Sequence, residues 1–239
     1  MENENLRAIF LPEWGGRLYS LYSKKMKREL LFSNPVLQPA NLAILNAWFS
    51  GGIEWNVGRL GHSVTTCSPV FCAAMKDDDG NDFLRIYEYE RMQGTFWQLD
   101  FHLRPGGEVL EMYACIRNDS DRPKPTYYWT NTAVVETPKT RIFSSTDEVI
   151  YLDMHQRSLN RGKLPYLPVM PDKDASYPQH FDYSNEYYFQ PPRKTAAPWE
   201  AAVYSEGWLF FERSTMPLRY RKMFCWGMHQ GGRHWKDYL

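Results

Sequence analysis

Glu54, Asn56 and His62 make the densest polar constellation of the chain, within Gly51-Gly52-Ile53-Glu54-Trp55-Asn56 and the following Gly61-His62. If the segment is extended, Glu54 and Asn56 project to one face. A carboxylate beside a carboxamide can accept from one ligand hydroxyl and donate to its neighbour. The imidazole of His62 adds a group that can take or give a proton near neutrality. The paired glycines permit unusual backbone angles and close approach of a ligand. The bland alternative is a structural turn in which Glu54 caps backbone amides.

A second constellation is Tyr127-Tyr128-Trp129-Thr130-Asn131. In a strand, Tyr127, Trp129 and Asn131 share one face. A flat indole beside a carboxamide suits a ring with C–H faces and hydroxyl edges, although Trp129 could equally be a core residue. Arg17, after Gly15-Gly16, can position a loop or meet a ligand oxygen. Asp182, Asn185 and Tyr188 can rim a site from a loop-rich stretch, and Trp226, His229, Arg233 and Trp235 lie late in the chain. His102, His155, His180 and His234 show no ligand-like spacing. Cys67, Cys72, Cys115 and Cys225 form no Cys-x-x-Cys pair and no zinc spacing, and read as reduced core thiols. Phosphate-loop, dinucleotide, zinc-protease and nucleophile-elbow motifs are absent from the sequence. No metal and no cofactor are therefore expected.

The elements that must position these residues are strands. In Thr95 to Leu103, Trp97, Leu99, Phe101 and Leu103 share one face, opposite Phe96, Gln98, Asp100 and His102. Glu108 to Ile116 alternates in the same way, and Phe83 to Tyr89 reads as a strand after the turn signal Lys76 to Asn81. These three predict an antiparallel meander. Further strands are expected at Leu6 to Phe10, Arg17 to Tyr22, Thr126 to Val135, Arg141 to Ser144, Glu148 to Leu152, Ala201 to Tyr204, Trp208 to Arg213 and Arg221 to Trp226. One short helix is expected near Ala40 to Trp48. Asn160 to Pro198 reads as a long loop region over one face. Many short strands with turns between them predict an all-β sandwich.

The chain has 239 residues, 43% of them hydrophobic, enough for a core without disulfides. Its 28 basic and 28 acidic residues balance, which argues against a nucleic-acid binder and a polybasic membrane anchor. No apolar stretch approaches the length that spans a bilayer. The polar start Met1 to Asn5 is unlike a secretory signal, so a cytoplasmic location is expected. Aromatics reach 16%, many beside Asn, Glu, Arg or Gly, a mixture that suits sugars and also suits ordinary strands.

Several strings go beyond strand periodicity. They are Leu11-Pro12-Glu13-Trp14-Gly15-Gly16-Arg17, Gln38-Pro39-Ala40-Asn41-Leu42-Ala43, Trp48-Phe49-Ser50-Gly51-Gly52-Ile53-Glu54-Trp55-Asn56, Gly61-His62, Thr65-Thr66-Cys67-Ser68-Pro69, Tyr128-Trp129-Thr130-Asn131, Ser176-Tyr177-Pro178 and Lys222-Met223-Phe224-Cys225-Trp226-Gly227. Together they resemble a domain-of-unknown-function family of the galactose-mutarotase-like superfamily, whose members often carry tetratricopeptide repeats after this domain. The resemblance implies one antiparallel β-supersandwich over residues 1–239 with a concave sugar-binding face. It also implies a domain cut short after Leu239, with further strands, one bearing a Glu, beyond it. In mutarotases a late Glu is the general base, and the strand comparable to Tyr127–Asn131 carries a catalytic His. This chain keeps Asn131 and has no His at the matching place.

The function so implied is carbohydrate binding, of a mono- or oligosaccharide. If the domain belongs to an enzyme, it is aldose 1-epimerase-like or a glycoside hydrolase working by general acid/base chemistry at an anomeric centre. Glu54 and His62 are then the catalytic candidates, and Arg17, Asn56, Tyr127, Trp129, Asn131, Asp182 and Trp226 the substrate-binding ones. With the second acid/base group beyond Leu239, the chain alone is expected to be inactive. The alternative is a non-catalytic glycan sensor or scaffold, whose protein partners bind a repeat region after this domain. A third is a structural β domain without a ligand. No nucleic-acid or membrane partner is expected.

Overall fold

The computed structural model describes residues 1–39, 48–58, 61–194 and 197–233. The helix expected at 40–48 falls almost wholly outside them, as do His234 and Trp235. The chain divides into two compact units, Met1–Val135 and Glu136–Leu239. Both are built from antiparallel sheets, so the all-β expectation holds.

The first unit holds β1 (Leu6–Leu11), β2 (Arg17–Ser23), β3 (Arg28–Glu29), β4 (Ile53–Gly58), β5 (Phe71–Lys76), β6 (Asp82–Glu90), β7 (Thr95–His102), β8 (Glu111–Arg117) and β9 (Tyr127–Thr132). One sheet runs β1-β2-β4-β9, with β3 on β2. The other is the meander β5-β6-β7-β8, one strand longer than expected. The sheets meet through Phe101 of β7, whose ring lies 4.7 Å from Phe10 and 5.1 Å from Trp55. Alternation on β7 works as read: Trp97, Leu99 and Phe101 are buried, and Phe96 faces outward. Burying side chains of this size stabilises by roughly 1.5–3 kcal/mol each.

On β4 the same alternation sends Ile53, Trp55 and Val57 towards the sandwich core. Glu54, Asn56 and Gly58 point away from it, level with Asn131, Trp129 and Tyr127 of β9. That second face is also covered, because every residue from Glu54 to Gly58 is buried.

The second unit holds β10 (Arg141–Ser144), β11 (Glu148–Asp153), β12 (Ser158–Lys163), β13 (Asn185–Phe189), β14 (Trp199–Tyr204), β15 (Trp208–Arg213) and β16 (Arg221–Cys225). Its sheets are β10-β14-β15 and β12-β11-β13-β16. The loop expected over 160–198 is corrected here. That stretch completes β12 and supplies β13, an interior strand paired to both β11 and β16. Leu167, Ala175 and Phe181, from the segment between them, are buried in the same core as Tyr151, Tyr187 and Phe189. The stretch looked loop-like because its apolar residues are scattered among Pro, Asp and Lys. Burial is nevertheless what orders it.

The thiols are also corrected in part. All four cysteines are unpaired, but only Cys225 is buried, and Cys72 is exposed on β5.

One polar pair in the second unit sets a testable sign. Glu200 of β14 lies directly opposite Glu212 of β15, and its Oε2 is shielded from solvent. Burial, then the neighbouring Glu212 charge, raises the Glu200 pKa well above 4.5, against the opposing pull of Arg221. A carboxyl whose folded-state pKa is raised favours the folded state below its unfolded value, and that contribution is lost as pH rises. Glu200→Gln should therefore raise the melting temperature at pH 7, and the gain should fade below pH 4.5. Thermal scans at several pH values check this; equal or lower stability at pH 7 would contradict it.

Candidate functional site

The outward face of β4 carries a closed polar cluster centred on Glu54. Arg17, at the start of β2, places Nη2 3.0 Å from Glu54 Oε2, with both side chains at most 2% exposed. Its Nη1 donates to the carbonyls of Phe49 at 2.9 Å and Gly51 at 2.8 Å, and Nη2 also reaches Thr66 Oγ1 at 3.2 Å. The guanidinium sits 3.7 Å from the Phe49 ring centroid, which suits a cation desolvated against a π face. Asn56 Nδ2 donates to Glu54 Oε1 at 2.7 Å, and Asn56 Oδ1 accepts from the Ser63 amide at 2.6 Å. Glu54 thus accepts from three side chains rather than capping backbone amides.

His62 completes the cluster. Its Nδ1 lies 2.5 Å from Glu54 Oε1, and its side chain is 23% exposed while Glu54 is 1% exposed. Its ring centroid is 5.3 Å from Trp48 and 5.0 Å from Trp129. Trp129 is itself fixed by donating Nε1–H to the Gly61 carbonyl at 3.2 Å. The buried indole N–H of Trp48 has no acceptor among the described residues.

Two glycine turns bring these segments together. Gly52 has φ +66°, and a Cβ there would lie 2.3 Å from the Leu18 carbonyl oxygen. Only glycine lets β4 enter beside β2 at that point. Gly15 has φ +69°, and a Cβ would lie 2.6 Å from the Thr65 carbonyl oxygen. Its amide donates to Ser68 at 2.8 Å. The turn before Arg17 therefore holds the 61–68 loop that bears His62.

Burial opposes ionisation of Glu54. The His62 hydrogen bond, the Arg17 charge and the Asn56 amide outweigh it, and the Glu54 pKa lies below its usual 4.5. Burial likewise lowers the Arg17 pKa, countered by Glu54, and an arginine remains charged in such a site. With Glu54 ionised, the proton of a neutral His62 belongs on Nδ1, and Nε2 is left as an acceptor. The arrangement is a buried carboxylate holding an imidazole in one tautomer, with the imidazole edge open between two indoles.

The residues singled out in the sequence separate under this geometry. Arg17, Glu54, Asn56, His62 and Trp129 come together in one cluster. Asn131 stands opposite Glu54 on β9 and Tyr127 opposite Gly58, 44% exposed. Glu54 and Asn56, however, are bonded to each other and only 2% and 1% exposed. Their polar atoms are thus turned to the cluster rather than to an open surface. Arg17, equally buried, holds the Phe49–Gly51 segment through two carbonyls. Asp182 and Trp226 belong to the second unit. Asp182 lines a separate pocket of about 360 Å³ with His155, His180 and Tyr183. Trp226 is half-buried, and its carbonyl accepts from Ser184 Oγ at 2.8 Å. Trp48, Ser63 and Thr66 were given no role from sequence. Trp48 and Thr66 lie inside the strings that carried the resemblance.

A domain-of-unknown-function model, DUF5107, matches residues 1–161. The chain belongs to the DUF5107 family. The whole Glu54 cluster lies inside the matched segment, which runs past the boundary after Val135. The DUF5107 chain is also similar to a TPR-domain containing protein from Parabacteroides distasonis ATCC 8503, known from a crystal structure at 2.26 Å resolution. The likeness has a TM-score of 0.72 at 18% identity and covers 93% of this chain. It shows a shared fold. The DUF5107 chain spans 41% of that longer protein. Among the described residues, no helix is long and apolar enough to cross a membrane.

Proposed function

We propose that this DUF5107 domain binds carbohydrate at the open edge of His62, with the sugar held between Trp48 and Trp129. The supporting observation is the Glu54–His62 pair, buried on its carboxylate side and open on its imidazole side, with an indole on either flank. Indoles offer C–H-compatible faces, and His62 Nε2 offers a polar partner for a hydroxyl. A galactose-mutarotase-like sandwich over residues 1–239 is part of the same proposal. Four unpaired thiols fit a reducing, cytoplasmic setting.

Where such a domain does chemistry, His62 rather than Glu54 is the acid/base group. Hydrolysis of a glycoside needs two carboxyls that reach the substrate. Glu54 has both oxygens engaged and is 1% exposed. Proton transfer at an anomeric hydroxyl by His62 Nε2, with Glu54 holding Nδ1–H, is the chemistry the cluster supports. Fluorescence titration with aldoses and disaccharides should show saturable change in the tryptophan emission. Trp129→Ala should weaken it about tenfold or more, as truncating an aromatic anchor does. Polarimetry on freshly dissolved aldoses separates binding from catalysis. No saturable response to any sugar would overturn the proposal.

A second function, a glycan-sensing scaffold, has one observation in its favour. The similar Parabacteroides protein is named for a TPR domain and is more than twice as long as the match. Binding without turnover, in a longer chain with helical repeats, is the outcome that this function predicts.

A further inference from the structure

The outward face of the β5-β6-β7-β8 sheet breaks the rule for a sheet surface turned to water, which should read polar. Phe71, Tyr87, Tyr89, Phe96 and Tyr113 stand on it, 39–62% exposed. The register gathers them: Phe71 lies opposite Tyr87, and Tyr89 opposite Phe96. The first pair stacks at 5.3 Å and the second sits at 4.8 Å. Single exposed aromatics are ordinary, whereas a gathered set marks a binding surface. The face is remote from the His62 cluster, because β4 turns Trp55 towards Phe101 of this sheet and Glu54 the other way.

The groups between the rings decide the class of ligand. Arg85 donates two hydrogen bonds of 2.7 Å to Asp100, and Gln98 Nε2 donates to Asp100 at 3.2 Å. Tyr113 lies opposite Asp100 on β8. Arg117 and Glu111 on the face are paired with Asp119 and Arg104, and Lys124 Nζ, at the edge beside Tyr89, donates to the Gly94 carbonyl. Among the described residues the middle of the face is therefore charge-balanced, without the cluster of cations that binds phosphate or an acidic lipid. A dry protein surface laid here would strip the remaining water from Arg85, 30% exposed over the already buried Asp100, at a desolvation cost that the pair's mutual attraction does not reliably repay. Sugar hydroxyls can instead replace those waters while C–H faces lie on the rings.

We infer that this face is a second carbohydrate-binding surface, for an extended neutral polysaccharide. It does not depend on the His62 site. Affinity electrophoresis of the 239-residue chain through gels holding hydroxyethylcellulose, xylan, glucomannan or pullulan tests it. At least one gel should retard the protein. The double variant Tyr87→Ala/Phe96→Ala should lose about tenfold or more in affinity, and His62→Ala should lose none. The substituted rings are exposed, so circular dichroism should be unchanged; if the double variant unfolds, Tyr113→Ala takes its place. Four outcomes overturn the inference. They are no retardation in any gel, retardation that the ring variants keep, retardation that only His62→Ala removes, and a dimer in sedimentation that the ring variants dissociate.

Discussion

Glu54→Gln should destabilise the domain by about 3–5 kcal/mol, the loss seen when one partner of a buried ion pair is removed. Gln keeps the shape but not the charge. Arg17 then remains 2% exposed, with its guanidinium facing carbonyls, a hydroxyl and the Phe49 ring, and no counter-charge. The double variant Arg17→Met/Glu54→Met should recover much of the loss, because well-packed apolar residues often replace a buried pair at little cost. Urea denaturation of the three proteins measures both effects. A change within about 0.5 kcal/mol for Glu54→Gln, the scale of a surface substitution, would contradict the geometry. The pH dependence has a fixed sign. The Glu54 pKa is depressed in the fold, so its contribution is full above 4.5 and is lost as pH falls below that value. Glu54→Gln should flatten that acid limb.

Tyr187→Ala should cost about 3–5 kcal/mol, as truncations of large buried aromatics do. Tyr187 has no solvent exposure and stacks with Phe189 at 6.2 Å. Its hydroxyl donates to the Ala175 carbonyl at 2.8 Å. Substitution removes the ring and strands that carbonyl in the core. Tyr187→Phe isolates the second effect and should cost about 1–3 kcal/mol. Denaturant titration decides it. An effect under about 0.5 kcal/mol would mean that the segment is a surface loop after all.

These two residues also show where the sequence is legible. β7 could be read because apolar and polar residues alternate along it, so Trp97, Leu99 and Phe101 fall on the core face opposite the exposed Phe96 and half-buried Gln98. β4 gives no such signal. It is buried on both faces, with polar Glu54 and Asn56 on one and Trp55 on the other. β5 is exposed along almost its whole length and shows no alternation either. β13 is five residues long and set among prolines and charges, and only pairing on both sides reveals it as interior. Within the site, the proximity of Glu54, Asn56 and His62 was suggested by local spacing. The Arg17–Glu54 pair joins residues 37 positions apart, and no local pattern encodes such a contact. The roles of Glu54 and His62 could not be ranked from sequence either, because burial distinguishes the supporting carboxylate from the open imidazole.

The most direct test follows the His62 imidazole and the Trp48 and Trp129 indoles by heteronuclear NMR during titration with mono- and disaccharides. These three sets of resonances should shift together and saturate with at least one sugar. In Trp129→Ala the His62 response should need about tenfold or more sugar to saturate, while the rest of the spectrum keeps its dispersion. Perturbations that bypass all three residues, or no perturbation by any sugar in a well-dispersed spectrum, would contradict binding at His62.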